Sequence, residues 1–139
     1  MPPSKSDTHI TPDEVFDKIK ELGWGESNFF YDPCPADPNR KFDGLEISWH
    51  KWNYINPPYG NGSKDKDGNT LLARFVKKAI DEVELGHFSI MLLPSKTDQK
   101  WFHWLLEREY SMYWFDHRLK FKNNKWSATQ PHFLVEIAP

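Results

Sequence analysis

Apolar residues along this chain switch between helical and strand spacing. Val15, Phe16, Ile19 and Leu22 recur at the spacing of one helix face. Thr11-Pro12-Asp13-Glu14 ahead of them predicts a helix start, with Thr11 as N-cap, Pro12 at the first helical position and Glu14 closing a capping box. Gly23 and Gly25 end the element. Phe29-Phe30-Tyr31 is a short apolar run read as a buried strand, with Asp32 at its carboxyl end. Residues 33–48 carry three prolines and are mostly loop, with a short strand near Leu45-Glu46-Ile47. A strand at Asn53-Tyr54-Ile55 is followed by a polar loop over 60–69, long enough to be mobile. Leu72, Phe75, Val76, Ala79, Ile80 and Val83 describe a second helical face, stopped by Gly86. A buried strand over 88–93 ends at Pro94; a helix over about 98–108 and strands at 113–115, 119–121 and 133–137 complete the chain. Strands alternating with helices predict an α/β fold with a mostly parallel sheet and helices on both faces.

At 139 residues the chain is long enough for one core, not for a catalytic domain plus a separate recognition domain. Residues 1–9, polar and proline-rich, are expected to form a disordered tail, and 10–139 a single domain. Eighteen basic against 20 acidic residues give a net charge of −2, so contact with nucleic acid has to come from a local patch. One cysteine suits a reducing compartment, and the absence of a long apolar run or an apolar leader predicts a cytoplasmic protein with no membrane partner. Aromatic residues make up 16% of the chain, which points to a compact aromatic core or to stacking surfaces, with the core as the default for most of them.

Asn56-Pro57-Pro58-Tyr59, at the end of a short strand, carries the most specific chemistry. The amine of adenine N-6 or cytosine N-4 is conjugated with its ring, and it becomes nucleophilic only when hydrogen bonds from its N–H groups draw it out of conjugation. The Asn56 side-chain oxygen and the Pro57 carbonyl are suitable acceptors, the two prolines stiffen the corner, and Tyr59 offers a face on which an extruded base stacks. A tight Pro-Pro turn between two elements is the plain alternative. In an open α/β sheet ligands bind beyond the carboxyl ends of the strands. Asp32 and Asn56 both fall at such ends, so adjacent strands would set a carboxylate beside the amine-holding corner. S-adenosylmethionine suits that arrangement, with Asp32 on its ammonium; the competing role for Asp32 is an exposed strand-end acid or a cap.

The order of Thr11-Pro12 with Val15-Phe16, Asp32-Pro33-Cys34 with Asn39, Trp49 or Trp52 before Asn56-Pro57-Pro58-Tyr59, Leu92-Leu93-Pro94 with Thr97 and Trp101-Phe102, and Arg118-Leu119-Lys120-Phe121 resembles the phage-type DNA N-6-adenine methyltransferase (Dam-like) family over about residues 10–137. The resemblance implies a Rossmann-like methyltransferase fold, S-adenosylmethionine as donor, DNA adenine as acceptor and a phage-infected host cell as the setting. It adds Thr11, Pro12, Asp32, Pro33, Cys34, Asn39 and Asn56 as cofactor-binding candidates. Pro33-Cys34-Pro35-Ala36-Asp37 lacks the glycine-rich loop typical of methyltransferases, and only about 20 residues separate Asp32 from the next strand. The first half-sheet is therefore expected to be shortened, leaving the adenosine end of the cofactor exposed or completed by a second subunit or a recognition partner.

Arg118, Lys120, Lys122 and Lys125 interleave with Leu119, Phe121 and Trp126, as a phosphate-tracking edge or a half-buried strand would. Lys64 and Lys66 lie in a loop that could close over DNA. Asp65-Lys66-Asp67-Gly68-Asn69 has the wrong pattern for a calcium loop, the six histidines lack ligand spacing, and no metal site is expected. Lys96-Thr97-Asp98 either lines the pocket or caps the next helix. Two other readings stand beside adenine methylation: the same chemistry on cytosine N-4, an RNA base or a protein glutamine, or a non-catalytic nucleic-acid-binding module that kept the fold.

Overall fold

A computed structural model describes residues 10–24, 30–35, 43–58 and 64–139. Tyr31 and strand β1 (Trp52–Ile55) begin the sheet, and β1 continues through helix α2 (Leu71–Val83) into strand β2 (Phe88–Pro94). β1 and β2 pair in parallel, Trp52 beside Phe88 and Ile55 beside Met91. Helix α3 (Lys100–Glu107) leads to strand β3 (Ser111–Trp114), and strand β4 (His132–Ile137) then enters between β2 and β3. The order is β1-β2-β4-β3, with β4 antiparallel to both neighbours. β1, β2 and β3 consequently run in one direction, and β4 alone reverses.

The expected mostly parallel sheet is thus corrected to a mixed one. The reason lies in the last connection: a parallel neighbour requires a crossover element, and the chain between β3 and β4 contains no helix, so β4 returns antiparallel. Both earlier crossovers advance across the sheet in the same sense, and their shared hand puts α2 and α3 on the same face. There Trp101, Phe102 and Leu105 of α3 and Leu72, Phe75, Val76 and Ala79 of α2 pack on Ile55, Met91, Leu93, Phe133, Val135 and Ile137. The alternate residues Tyr54, Ile90, Leu92 and Leu134 face the other way, onto Val15 and Ile19 of helix α1 (Asp13–Glu21) with Leu119 and Phe121. Helices on both faces were expected, and both faces have them.

Local expectations fail where polar atoms found distant partners. Pro12, not Thr11, occupies the N-cap of α1, no side chain caps that end, and Glu14 pairs with His117 instead of closing a capping box. Residues 45–47 form a turn in place of a strand, with Leu45 N donating to Asp43 Oδ1 at 2.9 Å and Glu46 N to the Asp43 carbonyl at 2.9 Å. The stretch 119–121 buries Leu119 and Phe121 as a strand would, yet among the described residues it pairs with no strand. The strand expected at 113–115 begins two residues earlier. Thr97 and Asp98 do not cap α3, whose N-cap is Gln99. Of the 60–69 loop, residues 65–69 form a closed turn, in which Asp65 Oδ1 accepts from Asp67 N and Asn69 N at 2.9 Å each. Those bonds, that of Asn69 first, hold the Asp65 carboxyl below its usual pKa. The expected tail over 1–9 lies outside the described residues.

Candidate active site

Tyr31 docks on β1 as a one-residue parallel extension of the sheet. Its N–H donates to the Trp52 carbonyl and its own carbonyl accepts from Tyr54 N, both at 3.0 Å. This pairing puts the next residue, Asp32, alongside Tyr54 and Asn56, at the carboxyl ends of two strands running the same way. A cavity of about 240 Å³ opens there, lined by Ile10, Thr11, Phe16, Asp32, Cys34, Tyr54, Asn56 and Lys122.

Strand alternation turns Tyr54 and Asn56 to the same face, that of α1. With the cap position taken by Pro12, the Thr11 hydroxyl is committed outside its own helix. It lies 2.7 Å from the Tyr54 phenol oxygen and accepts from Asn56 Nδ2 at 3.2 Å. That second bond helps to orient the carboxamide: Nδ2 faces Thr11, so Oδ1, the acceptor end, points away from Thr11 within the amide plane. Burial pushes the Tyr54 pKa far above its ordinary value, outweighing the opposing Thr11 bond, and the Asp32 charge adds to the rise. Tyr54 is therefore a neutral hydroxyl across the physiological range.

The Asp32 corner is braced from the α2 side. Asp32 Oδ1 accepts from Cys34 N at 2.8 Å, folding the carboxylate over the turn. Beneath it, a Cβ added to Gly44 would lie 2.1 Å from the Pro33 carbonyl oxygen and 3.1 Å from the Phe75 ring, so only glycine fits this approach. Gly44 is held in turn: its carbonyl accepts from Trp49 Nε1 at 2.9 Å, and Trp49 N donates to the buried Glu82 Oε1 at 2.7 Å. The close glycine approach absent from 33–37 is thus supplied eleven residues downstream, against the chain itself.

Of the candidates read from the sequence, Thr11, Asp32, Cys34, Asn56 and Lys122 meet at the cavity. Pro12, Pro33 and Pro57 are buried and Pro58 half-buried, and none of the four lines it. Lys64, Lys66, Arg118 and Lys120 are exposed and also do not line it. Tyr59 and Asn39 lie outside the described residues. Lys122 Nζ reaches Asp13 Oδ1 at 2.6 Å, which holds it at the cavity mouth. Asp43 directs Oδ1 into its own turn. Ile10, Phe16 and Tyr54 were missed, although a residue two before Asn56 on a strand necessarily shares its face. Among the described residues, no helix is long and apolar enough to cross a membrane.

A carboxylate and a carboxamide thus lie at adjacent strand ends of a mixed α/β sheet, an architecture compatible with a methyltransferase-like fold. The model of the DNA N-6-adenine-methyltransferase (Dam) family matches the chain over residues 1–132, and the chain belongs to that family. No curated protein and no solved structure matches it.

Proposed function

We propose that this chain methylates the N-6 amine of adenine in DNA with S-adenosylmethionine as donor. The observation that carries the reading is the meeting of Asp32 and Asn56 on one cavity, with the Asn56 amide oriented by Thr11. The donor set suits the amino-acid end of the cofactor: the Asp32 carboxylate would hold its ammonium, and the Thr11 hydroxyl lines the same space. At about 240 Å³ among the described residues, the cavity has room for that end.

When bound, S-adenosylmethionine supplies the methyl group: the carbon–sulfur bond breaks, a carbon–nitrogen bond forms and the amine releases a proton. Asn56 Oδ1 and the Pro57 carbonyl would accept the two amine N–H bonds and draw the nitrogen lone pair out of the ring. Tyr59 would stack the extruded base. Neither a carboxamide nor a phenol held neutral by burial is a general base near pH 7, so the proton leaves to water.

The test is incubation of the protein with labelled donor and, separately, DNA, RNA and protein, followed by digestion and mass spectrometry of the products. N-6-methyladenine from DNA is expected. Label on N-4-methylcytosine, an RNA base or glutamine would keep the chemistry and change the substrate, and no label in any of them would end the enzymatic reading.

A further inference from the structure

Trp126 is the most exposed large apolar side chain among the described residues, at 75%. Its loop is anchored on both sides. Ala128 N donates to the Leu119 carbonyl at 2.8 Å and closes the base, Asn124 N donates to the Phe121 carbonyl at 3.0 Å, and Leu119 and Phe121 are buried on the α1 face. The loop is also stitched to the chain entering α1: Lys122 N donates to the Ile10 carbonyl, and Ile10 N to Asn123 Oδ1, each at 3.0 Å. A positioned loop therefore carries an indole out into water, next to Lys125, whose Nζ lies 5.4 Å from the ring centroid.

The loop's own charge is one-sided, although Asp13 pairs with Lys122, and Asp116 and Glu14 hold His117 at its base. Residues 117–126 contain Arg118, Lys120, Lys122 and Lys125 and no Asp or Glu, in a chain of net charge −2. All four cations are exposed. Lys122 also lines the Asn56 cavity, and four residues of chain put Trp126 within at most ~14 Å of it. Flat apolar face, neighbouring cations and proximity to Asn56, which would hold the acceptor amine, together match a nucleic-acid strand with unpaired bases, because a base stacked in a duplex cannot offer its face to an indole.

Building on the reading of Asn56 as the residue that holds the acceptor amine, we propose that residues 118–126 form a single-strand track. Trp126 stacks a base of the strand that runs on from the Asn56 corner, and Lys120, Lys122 and Lys125 follow its phosphates.

Fluorescence anisotropy of a labelled oligodeoxynucleotide tests this at one fixed salt concentration and without methyl donor, so that nothing turns over. The wild-type chain should bind the single strand more tightly than the matching duplex. Trp126→Ala should weaken single-strand binding about 5- to 150-fold, the loss of one base stack, with an unchanged Tm, while Trp126→Phe retains most of the affinity. Equal binding by wild type and Trp126→Ala, or equal loss in the Ala and Phe variants, overturns the track. So does sedimentation showing that Trp126→Ala dissociates a dimer without affecting DNA binding. The two readings fail separately: DNA methylation with Trp126 indifferent removes the track alone, whereas Trp126-dependent strand binding without methylation removes the catalytic reading and leaves the track standing.

Discussion

The Thr11 hydroxyl stands between a buried phenol and the carboxamide proposed to hold the acceptor amine, so its removal has two separable effects. Thr11→Val conserves shape and takes away the oxygen, leaving the buried Tyr54 hydroxyl without this partner and the Asn56 amide without the bond that orients it. An unsatisfied buried hydroxyl costs about 1–3 kcal/mol, so differential scanning calorimetry should show a Tm several degrees lower. The methyl-transfer rate should fall as well, and Thr11→Ser should restore both. A Val variant with wild-type Tm and rate would show that the bond network is idle. The Thr-Pro pair was legible in the sequence as a helix start. The destination of its hydroxyl was not, because a threonine before a helix offers the same oxygen to its own backbone or to a distant group, and the choice depends on where Tyr54 comes to lie.

The N-terminal end of α1 is fixed to the 116–123 segment by two charged contacts, and one of them responds to pH. His117 faces Asp116 and Glu14, and Asp13 pairs with Lys122 beside them. The Asp116 hydrogen bond first, then the Glu14 bond and its charge, raise the His117 pKa above 6.5. The protonated imidazole is thus favoured by folding. Its contribution is complete below the unfolded value of 6.5 and disappears as pH rises through the folded value. The Tm difference between wild type and His117→Gln should accordingly be largest near pH ~5.5 and shrink toward zero near ~9, where histidine is neutral in both states. A difference that grows with pH would mean that the ring acts through packing and not through charge. Helical periodicity revealed α1, α2 and α3, each of which buries one face, and short apolar runs revealed β1, β2 and β4, which are buried on both. Periodicity misread 119–121, where alternating burial arises in an irregular segment packed on α1, and it could not reveal that β4 inserts antiparallel between β2 and β3.

Across the whole molecule, the parallel direction of Tyr31, β1, β2 and β3 collects strand ends at one edge of the sheet, and the site lies at the first two of them. Asp32 and Asn56 were both visible as strand-end polar residues, and their adjacency follows once Tyr31 pairs with Asn53. The bracing of that edge was not visible: Gly44, Trp49 and Glu82 belong to a loop and a helix whose approach to Pro33 no local pattern encodes. The resulting claim is that a carboxamide fixed beside a donor cleft activates the amine without itself holding the donor. Asn56→Ala measures this most directly, assayed for transfer of labelled methyl to DNA and for stabilisation by S-adenosylmethionine. At 100 times its dissociation constant the donor should add ~2.7 kcal/mol to the stability of both proteins. The account predicts abolished transfer with that stabilisation retained. Transfer at the wild-type rate, or loss of donor binding together with activity, would contradict it.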